Sequence, residues 1–556
     1  MKLSHLKKFI IPPVLAALAA CGGGGGSGGS TGALIPAHGP GPQTSILSRI
    51  VGVGDSLTAG YQSNGFLGET GVTNPFFVPN QIPPNQATGF WADLVEQASG
   101  LPLDTAVAQM FDPATSPLPL IKGPGLNNQI VPYQNLFFPI IELKSGDVCT
   151  DNNGFNQAGF TLRASARVRL NPTSTTIRNV GIPGLTMHEA NVLHQPQTDT
   201  CKQLPGVPGL LSLVVQDESG TFWPVLRNFT KLGPNLTDVN AAASLHPTLA
   251  TVWLGANDVL KYMGSGGRFV GGNRTPGQAS SDITAAVKTL QRAGAHVVVA
   301  NLPNILETGF FQRVTIPQKL ADCRIRTYAY CLLAIEIPRS TVQSFLPSMA
   351  RKYHLDTPNG CMPASETEPC GYLTLSAVTE IVTYFNTTGE GLHVPNLDCA
   401  IPSPTCKPVP GSGLGSNYIT PEFAGKIQRI NDAMNQGIDS AATSSHVAFV
   451  DVQSIFHGLA SGDPENPYFH LAASIKPGLC CTLGYLWGIL SFDGLHPSNT
   501  GYGLIAYAFI NEINKTYGTH IPQIDLRAVY DGSRCSNKRY CFPDPYAPPN
   551  DSPYSP

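Results

Sequence analysis

The sequence predicts an α/β protein, a parallel sheet with helices on both faces. Three observations carry this. Short runs rich in Val, Ile and Leu recur along the chain, and each closes in Gly, Asn, Pro or Asp. Longer stretches with apolar residues at helical spacing lie between them, as at Ile283, Val287 and Leu290. Strand and helix alternate, which in compact proteins means parallel strands joined by helical crossovers.

In chain order the expected strands are 49–53, 176–180, 249–254, 296–301 and 446–450, and the expected helices are 87–99, 279–293, 424–440 and 500–517. Right-handed crossovers restrict the topology. The five-strand order 2-1-3-4-5 is expected, with strand 1 between strands 2 and 3. A crevice then opens at the carboxyl end of strand 1.

Four polar blocks fall at strand ends or just before a helix. The first, Gly54-Asp55-Ser56-Leu57, follows the apolar run Ile50-Val51-Gly52-Val53. Gly54 allows a sharp exit from the strand, and Ser56 then stands where open sheets bind ligands. An Asp-Ser pair is also an ordinary helix N-cap, so the downstream blocks decide. These are Asn179-Val180-Gly181-Ile182-Pro183-Gly184-Leu185-Thr186, then Leu254-Gly255-Ala256-Asn257-Asp258, then Phe492-Asp493-Gly494-Leu495-His496-Pro497.

Taken together, in this order, the blocks resemble those of the GDSL-type serine esterases and lipases, the SGNH hydrolases. The resemblance implies a three-layer α/β/α fold with a flavodoxin-like sheet. It also implies roles. Ser56 is the nucleophile, His496 the general base and later acid, and Asp493 the carboxylate that orients the imidazole. The oxyanion hole combines the backbone N–H of Ser56, the backbone N–H of Gly184 and the side-chain amide of Asn257. Gly181 competes with Gly184 for the glycine role. Asp258 reads as structural, and His188, His194 and His246 as packing or surface residues. The G-x-S-x-G matches at Ser27 and Ser30 lie in a Gly/Ser run and reflect composition.

The whole chain sets bounds. With 556 residues and 42% hydrophobic content, a sizeable core is available. A net charge of −3 with 13% charged residues leaves no basic surplus for nucleic acid. Lys2, Lys7 and Lys8 precede a short apolar segment ending in Leu18-Ala19-Ala20-Cys21. That pattern resembles a bacterial lipoprotein cleavage box, so a signal over 1–20 and lipid on Cys21 are expected. An ordinary secretion signal is the competing reading. A flexible Gly/Ser tether over 21–45 follows.

Setting Cys21 aside leaves an even twelve of the 13 cysteines, which fits disulfides in an oxidising compartment. Metal binding competes for them, but no C-x-x-C pair is present. The catalytic domain is expected over 46–520, with insertions at about 104–175 and 305–440. The second holds Cys323, Cys331, Cys361, Cys370, Cys399 and Cys406. A Pro-rich tail over 521–556 is expected, pinned by Cys535 and Cys541.

The function expected is a secreted, lipid-anchored serine hydrolase of lipid or acylated-carbohydrate esters, using no cofactor and no metal. Two other readings stay open: a retired hydrolase fold serving as a surface binding protein, and an acyltransferase using the same residues.

Overall fold

The computed structural model describes residues 45–62, 85–121, 144–145, 157–158, 171, 174–192, 225–264, 267, 271–313, 372–374, 418–419, 421–461, 465–475, 489–491, 494–538 and 540–544. The chain divides into residues 1–37 and 38–556, and all of these lie in the second unit. Cys21, the flanking signal and tether, Asp493 and the cysteines between 323 and 406 lie outside the described residues.

The strands, in chain order, are β1 (Ile50–Gly54), β2 (Lys144–Ser145), β3 (Gln157–Ala158), β4 (Leu249–Trp253), β5 (His296–Ala300), β6 (Phe311–Arg313), β7 (Tyr372–Thr374), β8 (Tyr418–Ile419) and β9 (Ala448–Val450). The central sheet is parallel, with order β1-β4-β5-β9. β2 and β3 form a small antiparallel pair. β6, β7 and β8 form an antiparallel sheet in that order.

Both faces of the central sheet are covered. Val51, Val53, Ala250, Val252, Val297 and Val299 join one core cluster; Ile50, Leu249, Trp253, Val298, Ala300, Ala448 and Val450 join the other. Alternation along each strand sends neighbours to opposite faces. Because both faces are buried, the strands read as near-continuous apolar runs. The helices Pro276–Arg292 and Pro421–Ser445 close the first face, through Ile283, Val287, Ile427 and Ile438. The helices Phe90–Ala98 and Asn499–Tyr517 close the second, where Phe90 stacks on Phe509 at 4.8 Å.

Of the five strands expected, four form the ladder. Four parallel strands pair, and the segment 176–180 meets β1 at a single parallel bridge, Gly52 with Asn179. The Gly52 N–H donates to the Arg178 carbonyl, and the Val180 N–H donates to the Gly52 carbonyl. The next ladder bond toward the start of β1 would come from the Arg178 N–H. That group donates instead to the carbonyl of Pro117 at 2.8 Å, so the ladder stops.

Two boundaries also differ. The helix Leu103–Phe111 straddles the expected start of the first insertion, and it packs Met110 into the second core cluster. Residues 521–538 and 540–544 are part of the folded body: Ile521, Ile524, Leu526 and Val529 are buried against the Asn499–Tyr517 side. Cys535 and Cys541 form the expected disulfide, with Cα atoms 5.6 Å apart.

Candidate active site

β1 ends at Gly54 because nothing larger fits. A Cβ there would meet the Thr58 hydroxyl at 2.0 Å and the Trp253 carbonyl at 2.6 Å. The chain turns at once. The Leu57 N–H donates to Asp55 Oδ1 at 3.0 Å, the Ala59 N–H to the Asp55 carbonyl at 3.0 Å, and the Tyr61 N–H to the Ser56 carbonyl at 2.9 Å. This tight turn holds Ser56 at the carboxyl edge of the sheet, with 8% of its surface exposed. The position fits the crevice expected for an open α/β sheet.

The glycine block is laced onto this turn. The Ile182 N–H donates to the Gly54 carbonyl at 2.9 Å, and the Asn179 side chain donates to the Thr58 carbonyl at 2.7 Å. The two candidate glycines now separate. Gly181 packs against the turn, so a Cβ would lie 2.6 Å from the Ala59 nitrogen, and its N–H donates to Asn179 Oδ1. Gly184 has φ +85°, and among the described residues a Cβ there would meet nothing within 4 Å. Among the described residues, the backbone N–H groups of Ser56 and Gly184 donate to no acceptor.

Asn257 enters from the Ala256–Gly264 helix that follows β4. Its Nδ2 donates to the Leu185 carbonyl at 3.1 Å and to Asp55 Oδ2 at 3.2 Å. The amide nitrogen thus reaches both the serine turn and the residue after Gly184. Asp258 is structural: its carboxylate accepts the N–H groups of Met187 and Asn273.

His496 arrives on the loop before the Asn499–Tyr517 helix. The Ser491 N–H donates to the His496 carbonyl at 2.7 Å, Leu490 bridges Pro497, and Ser498 caps the helix by accepting from the Gly501 N–H. The half-buried ring lies with Nε2 2.9 Å from Ser56 Oγ. Tyr61 packs its ring on the imidazole, with centroids 4.9 Å apart. Four sequence-separated candidates, Ser56, Gly184, Asn257 and His496, therefore converge on one edge. The expected orienting carboxylate, Asp493, lies outside the described residues.

Two residues with a place in this site were not assigned from sequence. Tyr61 gives no signal in one sequence, since an aromatic five residues past a serine is common. Asp55 stood inside the block, but its neighbours are set only by folding. Burial raises its carboxyl to about 7, against the lowering by the Leu57 N–H and by His496, while Asp258 adds to the rise. Burial likewise raises Asp258 to about 7.

Among the described residues, no cluster of three or more His, Cys, Asp or Glu is placed to hold a metal ion, and no helix is long and apolar enough to cross a membrane.

The arrangement has the parts of nucleophilic acyl chemistry: a hydroxyl, an imidazole in hydrogen-bond reach, and amide donors beside them. Comparison with curated proteins and with solved structures returned no match. A family model does match: residues 50–509 fit the GDSL-like lipase/acylhydrolase family, and the chain, with its serine, glycine, asparagine and histidine drawn to one sheet edge, belongs to that family.

Proposed function

We propose that this protein hydrolyses carboxylic esters through an acyl-enzyme on Ser56. The observation that carries the reading is the 2.9 Å contact between Ser56 Oγ and His496 Nε2, beside the amides of Ser56 and Gly184, which donate to no acceptor among the described residues. His496 takes the hydroxyl proton as Ser56 Oγ bonds to the ester carbonyl carbon. The negative charge moves to the carbonyl oxygen, where the two amides donate and Asn257 joins them by turning one of its two N–H groups from the Leu185 carbonyl to the oxyanion. The imidazolium then gives its proton to the leaving alcohol as the carbon–oxygen bond breaks. Water repeats the sequence on the acyl-enzyme, releasing acid and restoring Ser56. Asp493, three residues before His496, is the proposed partner that fixes the imidazole tautomer.

The substrate range proposed is lipid or acylated-carbohydrate esters, on the strength of family membership alone. A lipid anchor at Cys21 is proposed from the Leu18-Ala19-Ala20-Cys21 box and the Gly/Ser run behind it. The proposal includes a location on a bacterial membrane outside the cytoplasm, a compartment that the Cys535–Cys541 disulfide suits.

The test is a screen of p-nitrophenyl and natural esters with the wild type and Ser56→Ala. Hydrolysis by the wild type and its loss in the variant, at an unchanged melting temperature, support the reading. A variant as active as the wild type removes Ser56 from the reaction. Absence of any hydrolysis favours the retired-fold reading, and product that appears only with an added alcohol favours acyl transfer.

A further inference from the structure

Asn257 can serve an oxyanion only if its nitrogen, and not its oxygen, faces the serine turn. The two ends of a carboxamide have the same shape, so sterics alone do not choose between them. Hydrogen bonding does. Both N–H groups of Asn257 are taken, one by the Leu185 carbonyl at 3.1 Å and one by Asp55 Oδ2 at 3.2 Å; an oxyanion takes over the first while the second holds the amide in place. The second belongs to the residue directly before the nucleophile.

We infer that Asp55 is a positioning residue, whose carboxylate holds the Asn257 amide with its nitrogen toward the Ser56 turn. This rests on the hydrolase reading above. Asp55 is fully buried, and its other oxygen is fixed by the Leu57 N–H at 3.0 Å. The carboxylate therefore cannot swing without losing one of two donors, each in a region closed to water. A buried donor left without a partner is costly.

The residue type is dictated by this double duty. Once ionised, above its raised value of about 7, Asp55 must accept twice, once from Leu57 and once from Asn257. Asparagine has the same shape but a single acceptor oxygen. In Asp55→Asn, either the Leu57 N–H or the Asn257 amide faces an NH₂ group. Relief comes easily by turning Asn257 over, which aims its oxygen at the position where negative charge develops. The charged and titratable groups facing Asp55 are His496 and Asp258. Neither replaces the lost acceptor, because His496 is engaged by Ser56 and Asp258 by Met187 and Asn273.

The experiment measures kcat and KM at about pH 8.5, where Asp55 is ionised, for the best p-nitrophenyl ester with full-chain protein in four forms. These are wild type, Asp55→Asn, Asn257→Ala and the double variant, with folding checked by circular dichroism and thermal melting. Loss of one oxyanion donor lowers kcat by about 100-fold or more. Both single variants are expected to show that loss, with KM within about threefold of wild type. If Asp55 acts through Asn257, the double variant is no slower than about threefold below Asn257→Ala alone. Independent roles multiply instead, to about 10,000-fold, and would overturn the inference.

So would an Asp55→Asn protein that keeps kcat within about twofold while melting lower, since that is a merely structural role. A loss in Asp55→Asn without one in Asn257→Ala also counts against it. Asp55→Ser guards against misfolding, since its hydroxyl can still accept from Leu57 but cannot reach Asn257; the same kcat loss is expected. If neither Asp55 variant folds, Asp55 is assigned to folding and the inference fails. Failure of the hydrolase reading looks different: the wild type cleaves no ester, or Ser56→Ala remains active.

Discussion

Ser56 Oγ and His496 Nε2 lie 2.9 Å apart although 440 positions separate them in the chain. Each is anchored independently. Ser56 is held by the turn that closes β1, and His496 by the loop that the Ser498 cap ties to the Asn499–Tyr517 helix. Since neither anchor passes through the serine–histidine bond, removing the imidazole leaves both in place. His496→Ala is expected to lower ester turnover by about 1000-fold or more, with a melting temperature within a few degrees of wild type. A large fall in melting temperature, with residual activity tracking the folded fraction, would make His496 a folding residue instead.

The two glycines of the second block give opposite expectations. A methyl on Gly181 would sit 2.6 Å from the Ala59 nitrogen and 3.0 Å from the Asp55 carbonyl, so the serine turn itself must shift. Gly181→Ala should melt several degrees lower and lose activity with it. Gly184→Ala meets no neighbour among the described residues, but φ +85° strains any side chain. A residue other than glycine at such an angle costs on the order of 1 kcal/mol. Gly184→Ala should therefore stay folded and lose activity, because its N–H is re-aimed. Equal melting temperatures for the two variants would refute this division.

Those glycines also show what was legible before folding. The resemblance to the family, through its offset from Asn179, favours Gly184, and the apolar runs place β1, β4, β5 and β9 within one or two residues. The segment 176–180 has the same composition as a strand, yet only one bridge forms. Nothing local reveals that the Pro117 carbonyl captures the Arg178 N–H. Residues after 520 read as a tail because proline and polar residues hide the few apolar positions, Ile521, Ile524, Leu526 and Val529, that bury. Asp55 was visible as a residue but not as an acceptor for Asn257, since 202 positions separate them.

The same C-terminal segment carries a buried ion cluster. Arg534 bonds to Asp93 at 2.5 Å and to Glu96, joining the segment to the Phe90–Ala98 helix. Burial pushes both carboxyls up, while the Arg534 guanidinium pulls them back down. Removing one member of such a cluster strands the others. Arg534→Met should cost about 3–5 kcal/mol in urea unfolding, and adding Glu96→Leu should recover part of it. A loss under about 1 kcal/mol would mean the cluster is solvated in solution.

Beyond the cluster, Asp544 accepts from the Thr500 N–H at 2.8 Å and from the Thr500 hydroxyl at 2.5 Å, on the first turn of the helix after His496. The Cys535–Cys541 loop holds that segment in register. Cys535→Ser with Cys541→Ser should lower the melting temperature, as loss of a cross-link usually does. Asp544→Ala should lower it too, by removing acceptors from two buried donors. Because the contact falls four residues after His496, Asp544→Ala should also reduce kcat by a few-fold. A variant with normal kcat would confine the contact to stability.

Asp258 ties the Gly184 side of the site to the Asn257 helix, and its ionisation gives a pH test. Its carboxyl is raised from 3.8 to about 7, first by burial, against lowering by the Asn273 and Met187 N–H groups. The folded protein therefore holds a proton that the unfolded chain has already released between about pH 4 and pH 7. Stability contributed by this group is complete below the lower value and is lost as pH rises through the upper one. Asp258→Asn cannot ionise, so it lacks this dependence, although it gives up one of the two backbone acceptors. The melting temperature of the wild type minus that of the variant should fall steadily from pH 4 to pH 7 and level off above. A difference that is flat across this range would show that Asp258 ionises at an ordinary carboxyl value, and that its two amide donors outweigh its burial.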